Sequence, residues 1–140
     1  MWEIIHSGQK KNYVMTASCV HSIHGLISGH AYTLVDTVEL TDKKKDEPIR
    51  LIKMRNPWGK EKYVGPYSDE DDRWTDDLKA QTNHTAADDG IFFMKYTDFK
   101  KAFAYYQIAM YWDSWKTEKF YQEGHHGKQF NYFIKNPADQ

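Results

Sequence analysis

Two apolar runs joined by a charged turn constrain the fold of this chain most strongly. Residues 31–40 are rich in β-branched and aromatic side chains, and residues 49–54 show the two-residue period of a strand. The stretch between them is polar, contains three consecutive lysines and ends at Pro48, which is typical of a turn. The pattern therefore predicts two antiparallel strands that pair across this turn.

The outer ends of such a hairpin carry His30 and Asn56, which are distant in sequence but predicted to be neighbours in space. An imidazole that acts as base and then as acid needs its far ring nitrogen held in place. A carboxamide oxygen holds it without adding a full charge, which suits a thiolate–imidazolium pair. Trp58 is close enough in sequence to shield that hydrogen bond from water. The alternative is that His30 is an ordinary, partly buried strand histidine.

The blocks Gly29-His30-Ala31-Tyr32 and Arg55-Asn56-Pro57-Trp58-Gly59 resemble the second catalytic subdomain of the calpains, a family of papain-like cysteine proteases. Further similar blocks follow in the family's order, at Ser68-Asp69, Trp74, 89–94 and 97–99, so that the resemblance covers residues 13–106. It implies an α+β fold, with a mainly antiparallel, twisted sheet and short flanking helices. It also implies that His30 is the catalytic histidine, that Asn56 orients it and that Trp58 shields the pair.

The nucleophile of such an enzyme is not evident in this chain. Its one cysteine, Cys19, lies in an alternating stretch, 13–20, that predicts a strand and a buried, structural thiol. In papain-like enzymes the catalytic cysteine lies far upstream in another subdomain. We therefore expect this chain to supply half of an intracellular endopeptidase site to a Cys-bearing subdomain, and to be inactive in isolation. The rival interpretations are a catalytically inactive calpain-like scaffold and a stand-alone β-rich interaction module.

Clustered aspartates after Asn56 suggest a calcium site, because calcium prefers oxygen ligands. An EF-hand starting at Asp69 is excluded, since its required glycine would fall at Trp74. The calpain resemblance implies instead that Asp69, Asp89 and the carbonyl of Ala87 are ligands. Lys62 stands where the family usually has an acidic residue, so weak or absent calcium binding is expected. The chemistry itself requires no cofactor.

The remaining segments predict a simple order of elements. Residues 1–12 predict a short helix, 91–96 a strand, and Thr97 an N-cap for a helix that reaches Phe103. Residues 105–112 carry aromatic side chains on both faces, which predicts a strand buried between layers. Residues 113–140 predict a further hairpin, similar to the opening of the β-sandwich module that follows the calpain protease core. The domain is thus expected to cover residues 1–112.

Composition excludes several classes of function. The chain has 140 residues, 16% aromatic side chains and a net charge of −1, which argues against disorder and against binding to nucleic acid or anionic membranes. One cysteine allows no internal disulfide, so a reducing cytoplasmic compartment is expected. The first residues do not resemble a signal peptide, and no apolar run reaches the ~20 residues of a membrane span. The expected partners are a peptide substrate and the Cys-bearing subdomain.

Overall fold

The computed structural model describes residues 1–41 and 47–110. These residues form three helices and five strands, in chain order α1 (Trp2–Lys10), β1 (Val14–Cys19), β2 (Ala31–Leu40), β3 (Ile49–Arg55), α2 (Asp76–Thr82), β4 (Ile91–Lys95), α3 (Tyr96–Ala102) and β5 (Phe103–Ala109). The strands build one antiparallel sheet in the order β4-β3-β2-β1-β5. The α+β fold with a largely antiparallel sheet is confirmed. The predicted hairpin at 113–140 and the boundary near 112 lie outside the described residues.

The hairpin predicted from the two apolar runs is present. Strands β2 and β3 pair from Thr33 opposite Arg55 to Leu40 opposite Ile49, with a bulge between Leu34 and Asp36. A bulge places an extra residue in one strand and increases the local twist. The register brings the start of β2 and the end of β3 to the same edge of the sheet, where His30 and Asn56 lie.

Each face of the sheet carries a core of its own. Alternate strand residues point to opposite faces, and Ile52 and Phe92 enter a large core while their neighbours Leu51 and Phe93 enter a small one. The large core includes Trp2, Ile5, Met15, Ala17, Cys19, Tyr32, Leu34, Met54, Tyr63, Met94, Phe99 and Phe103. The small core comprises Leu40, Ile49, Leu51, Tyr67, Trp74, Leu78 and Phe93. Helices α1 and α3 cover the first face, and the segment with Trp74 and α2 covers part of the second.

The prediction that the last strand is buried between two layers was wrong. Within the described part of the chain β5 pairs only with β1, and its Tyr105 side chain is 69% exposed. Among the five strands, only β2, β3 and β4 contribute side chains to the small core, so the second face of β5 has no covering layer among the described residues. β5 also begins at Phe103, two residues before the predicted start.

The helices differ from prediction at two points. Thr97 is not an N-cap, because α3 begins at Tyr96 directly after β4 and Lys95 precedes it without a side-chain cap. Helix α2 was not predicted within the acidic stretch. It starts at a proper cap, the Thr75 hydroxyl accepting the Leu78 N–H at 3.3 Å, and it buries Leu78 against the small core.

Candidate active site

His30 and Asn56 are each held by backbone contacts at the edge of the sheet. The His30 carbonyl accepts the Cys19 N–H at 2.9 Å, and the Gly29 N–H donates to the Cys19 carbonyl at 2.8 Å, which extends the pairing of β1 with β2. Asn56 directly follows β3, and its N–H donates to the Gly90 carbonyl at 2.8 Å. The two side chains therefore project from strand ends whose positions the sheet fixes.

The side chains of His30 and Asn56 are hydrogen-bonded, with 2.9 Å between Nε2 and Oδ1. Two further bonds fix the amide: the Trp58 N–H donates to Oδ1 at 3.1 Å, and Nδ2 donates to the Lys60 carbonyl at 3.0 Å. Because Oδ1 only accepts, Nε2 of His30 must carry the hydrogen, and Nδ1 keeps its lone pair when the ring is neutral. Asn56 is fully buried, and both its side-chain amide atoms and its backbone groups have hydrogen-bond partners within the protein.

Trp58 covers the imidazole. Its ring centroid lies 4.3 Å from that of His30 with the planes tilted by 36°, while the buried ring of Tyr32 meets His30 edge-on at 4.8 Å. Trp58 itself is 58% exposed, so one side of the indole faces His30 and much of the rest faces solvent. The structure thus brings His30, Asn56 and Trp58 together, and the interpretation in which His30 and Asn56 are unconnected does not agree with it.

Gly90 is a position that only glycine fits. Its φ is +82°, and a Cβ there would lie 2.8 Å from the Asn56 carbonyl oxygen and 3.0 Å from Gly59. Positive φ and close backbone approach both favour glycine. The loop that carries Asn56 and Trp58 therefore packs backbone to backbone against the loop that carries Asp88 and Asp89.

Cys19 is a buried residue of the large core, as the strand pattern predicted. Its Sγ donates to the His21 carbonyl at 3.4 Å, and burial raises the pKa of the thiol. A nucleophilic cysteine needs the opposite, a lowered pKa and access to solvent. The side chain is therefore unsuited to attack a peptide bond.

A second cluster of polar side chains lies on the same loop, just beyond Lys60. The Glu61 N–H donates to the Asp88 carboxylate at 3.0 Å, and the Glu61 and Asp69 carboxyls face each other. Burial, reinforced by the Asp69 carboxyl, raises the pKa of Glu61 to about 8, and burial also raises the pKa of Asp69. Oε1 of Glu61 and Oδ1 of Asp69 are buried without a hydrogen-bond partner in the described part of the chain. Such a pair calls for a shared proton or a bound cation.

Asp69 and Asp89 both line a small cavity of about 50 Å³, next to this carboxyl pair. His84 borders the cavity, with Nε2 3.2 Å from the Asp69 carbonyl oxygen and its ring stacked on Trp74 at 4.2 Å. Lys53 borders it as well. The cavity is large enough for an ion or a water molecule. The Lys53 ammonium lies over the ring of Phe93, another lining residue, 5.2 Å from the ring centroid.

The structure corrects the expected role of Lys62. Lys62 is exposed and forms no ion pair with Asp69 or Asp89 in the described structure, whereas its neighbour Glu61 faces Asp69. The chain direction after Gly59 decides which of the two side chains points inward. The carboxyl group that faces Asp69 therefore comes from Glu61, the residue next to Lys62.

Two of the calcium ligands that the resemblance implies already accept backbone hydrogen bonds. The Ala87 carbonyl accepts the Asp89 N–H at 2.7 Å, and an Asp89 carboxylate oxygen accepts the Ile91 N–H at 2.8 Å. Across residues 1–41 and 47–110, no three His, Cys, Asp or Glu side chains gather in a geometry that could hold a metal ion. The two oxygens of Glu61 and Asp69 that lack a hydrogen-bond partner are chemically suited to a hard cation. These two residues alone do not form a complete set of metal ligands.

Sequence inspection missed three contributors to the site. The Lys60 carbonyl orients the Asn56 amide, Glu61 faces Asp69, and His84 contacts the backbone of Asp69. A contact made by a backbone carbonyl cannot be predicted from the type of side chain at that position. His84 would have been recognisable only by first placing α2, since it follows that helix by two residues and the left-handed Asn83 turns it inward.

Comparison with known proteins supports the resemblance to the calpains. Residues 1–110 match the family described as calpain family cysteine protease. The chain belongs to this family. It is 44% identical over 90 residues to calpain-9 of Mus musculus and 39% identical over 90 residues to calpain-9 of Homo sapiens, covering 61% of this chain in both cases. It is 34% identical over 86 residues, or 60% of this chain, to the calpain-1 catalytic subunit of Rattus norvegicus.

The chain spans about 12% of the length of these calpain relatives. The match to each relative therefore concerns one part of a calpain, while the family match over residues 1–110 includes His30, Asn56 and Trp58. In the described residues of the chain, no helix is both long and apolar enough to cross a membrane.

Proposed function

We propose that this calpain-family chain supplies the histidine half of a cysteine endopeptidase site, with the nucleophile on another subdomain of the complete protein. The observation that carries the proposal is the 2.9 Å bond between His30 Nε2 and Asn56 Oδ1. It fixes the tautomer that leaves Nδ1 free to accept a proton. A buried amide with three defined hydrogen bonds holds this geometry before substrate arrives.

The chemistry of the chain's residues follows from that tautomer. Nδ1 of His30 takes the proton of the partner thiol, and the resulting imidazolium keeps its second N–H on Asn56 Oδ1. The thiolate attacks the peptide carbonyl, and Nδ1–H then protonates the leaving amine as the carbon–nitrogen bond breaks and a thioester remains. His30 next deprotonates water, which hydrolyses the thioester and releases the acid. Trp58 limits the access of other water to the imidazole.

The isolated chain lacks the other half of this chemistry. Its only thiol, Cys19, is buried, and burial raises its pKa, while the oxyanion-binding donors of an acyl-transfer site would come from the Cys-bearing subdomain. The purified chain is therefore expected to cleave no casein. The expected substrates of the complete enzyme are proteins or peptides, without a sequence preference that these residues define.

Calcium binding by the acidic loops is proposed to be weak. Glu61, Asp69 and Asp89 would provide carboxylates and Ala87 a carbonyl, ligands that suit a hard cation. The Lys53 ammonium opposes a divalent ion at the same cavity, and Asp89 and Ala87 already accept backbone hydrogen bonds. When bound, calcium would neutralise the buried carboxyl pair. No step of peptide hydrolysis requires it to touch the substrate.

A chimera tests the proposed function. Residues 1–110 would replace the matching segment of mouse calpain-9, and casein cleavage would be measured for the chimera and for its His30→Ala and Asn56→Ala variants. We expect cleavage by the chimera, none with His30→Ala and strongly reduced cleavage with Asn56→Ala. His21→Ala, an exposed histidine outside the cluster, is the matched control and should leave activity unchanged. A folded but inactive chimera would favour the catalytically inactive scaffold instead.

A further inference from the structure

The Asn56 amide contacts a backbone peptide group that is itself held from its other side. Nδ2 of Asn56 donates to the Lys60 carbonyl at 3.0 Å. The N–H of the same peptide group belongs to Glu61 and donates to Oδ1 of Asp88, also at 3.0 Å. Because a trans peptide group is planar, with its C=O and N–H on opposite sides, fixing the N–H also fixes the direction of the carbonyl. Asn56 and Asp88 therefore contact opposite sides of one rigid unit.

A second contact joins the segment 56–61 to the loop that carries Asp88. The Asn56 N–H donates to the Gly90 carbonyl at 2.8 Å, and the Gly59 N–H closes the turn by donating to the Asn56 carbonyl at 3.0 Å. The close approach of Gly90 to this turn leaves no room for a Cβ. Residues 88–90 thus hold the segment 56–61 at both ends, with a backbone carbonyl at Asn56 and a carboxylate at Glu61.

The Asp88 carboxylate is the side-chain member of this arrangement. A hydrogen bond from a backbone N–H to a carboxylate is stronger than one between neutral groups, and hydrogen bonds on the two sides of one peptide group strengthen each other. Asp88 is exposed, so water screens its charge and the direction of the bond matters more than the charge. Asp88 does not line the cavity that Asp69 and Asp89 share, which separates this contact from the ion site proposed there.

We propose that Asp88 is a positioning residue for peptide hydrolysis, which orients His30 through the peptide group between Lys60 and Glu61 and through Asn56. The contacts follow one another from Asp88 Oδ1 to the Glu61 N–H, from the Lys60 carbonyl to Asn56 Nδ2, and from Asn56 Oδ1 to His30 Nε2 at 2.9 Å. This inference rests on the proposed protease function, because the orientation of His30 matters for hydrolysis only if the ring transfers protons.

Nitrogen-15 NMR of the histidine-labelled 140-residue chain tests the positioning without any catalysis. At alkaline pH Asp88→Ala should shift the tautomer populations of His30 towards those of a free histidine, in the same direction as Asn56→Ala but by less. Asp88→Asn keeps an acceptor oxygen and should restore the populations of the parent chain. Asp72→Ala removes an exposed carboxylate from another loop and is the matched control. Parental populations in the folded Asp88→Ala chain would overturn the proposal.

Kinetics of the chimera with mouse calpain-9 separate positioning from loop stability. With a fluorogenic peptide as substrate, Asp88→Ala should lower kcat about tenfold and leave KM unchanged, because a small misplacement of a catalytic group slows the chemical step. Asp88→Asn should recover most of the kcat, and Asp72→Ala should leave it unchanged. A merely structural role would lower the free energy of unfolding and leave the kcat of the folded enzyme as it was, which would contradict the proposal.

A double variant identifies the path of the effect. Because Asp88 is proposed to act through Asn56, Asp88→Ala should lower kcat no further in the Asn56→Ala background, whereas independent effects would multiply. Multiplied losses would overturn the proposal. An inactive parent chimera would count against the proposed protease function, while the tautomer measurement on the 140-residue chain would still decide whether Asp88 orients His30. An active chimera whose Asp88→Ala variant keeps the parental kcat would count against the role of Asp88 alone.

Discussion

Two polar clusters lie a few positions apart on the loop after β3, and they differ in whether their buried polar atoms have hydrogen-bond partners. At the first, Asn56 is fully buried and every polar atom of its amide has a partner. At the second, Glu61 and Asp69 bury one oxygen each that has no hydrogen-bond partner among the described residues, although the Asp69 oxygen lies 3.9 Å from Nδ1 of His84. A satisfied network is rigid and defined in advance, whereas an unsatisfied carboxyl pair depends on a proton or a cation. The first cluster is suited to holding a side chain in one orientation. The second is suited to taking up a proton or a cation as pH or ion concentration changes.

The largest expected effect comes from breaking the satisfied cluster. Asn56→Ala leaves the Lys60 carbonyl and the Trp58 N–H without their partner and should cost about 2–3 kcal/mol of unfolding free energy. His30→Ala should cost less, about 1 kcal/mol, since Asn56 keeps its other two bonds. Urea unfolding at pH 7 measures both, with the exposed Gln107→Ala as control. A loss for Asn56→Ala no larger than for Gln107→Ala would mean that the network contributes little.

The unsatisfied cluster should instead make the stability of the folded protein depend on pH. The pKa of Glu61 in the folded protein, about 8, exceeds its ordinary value of 4.5, so its contribution to stability is full below pH 4.5. That contribution is lost as pH rises towards 8, because the unfolded chain ionises first. After allowance for solvent screening the loss is about 1–2 kcal/mol. Urea unfolding between pH 4.5 and 9 in the presence of a chelator measures it.

Two glutamine variants sharpen that measurement. Glu61→Gln removes the ionisable group and should remain more stable than the parent chain above pH 8, with a weaker dependence on pH. Glu70→Gln removes an exposed carboxylate on the same loop and should leave the pH dependence nearly unchanged. Identical pH profiles for the parent chain and Glu61→Gln would show that the carboxyl pair is not strained.

Calcium titration tests whether the carboxyl oxygens of the second cluster bind calcium. Calorimetry should show a dissociation constant weaker than about 10⁻⁴ M, beyond the range of calcium sensors. Lys53→Met should tighten binding because it removes the positive charge of a residue that lines the cavity, whereas Lys62→Met should have no effect because Lys62 is exposed. Micromolar affinity in the parent chain would show that Lys53 does not oppose the ion.

The smallest effect on stability is expected at Trp58. Because the indole is 58% exposed, Trp58→Ala should change the unfolding free energy by no more than about 0.5 kcal/mol. The Nε2–H of His30 should nevertheless exchange faster with water, since one face of the ring loses its cover. Hydrogen exchange followed by NMR measures this, and an unchanged exchange rate would mean that Trp58 does not shield the bond.

The same contrast explains how much the sequence predicted. The His30 and Asn56 pair depends on a hairpin whose strand pattern and turn are local, so both partners could be placed in advance. The Glu61 and Asp69 pair depends on how the backbone turns after Gly59, which selected Glu61 rather than Lys62 to face inward. Burial of β5 was mispredicted for a related reason, because it depends on where the second core lies and not on the aromatic content of the strand.

The tautomer of His30 tests the central claim most directly. Nitrogen-15 NMR of the histidine-labelled chain, at alkaline pH where the imidazole is neutral, distinguishes a protonated from an unprotonated ring nitrogen. The hydrogen bond to Asn56 predicts that Nε2 carries the hydrogen and Nδ1 does not, and that Asn56→Ala weakens this preference towards that of a free histidine. A His30 ring protonated at Nδ1 in the parent chain would contradict its assignment as the proton-transferring half of a cysteine protease site.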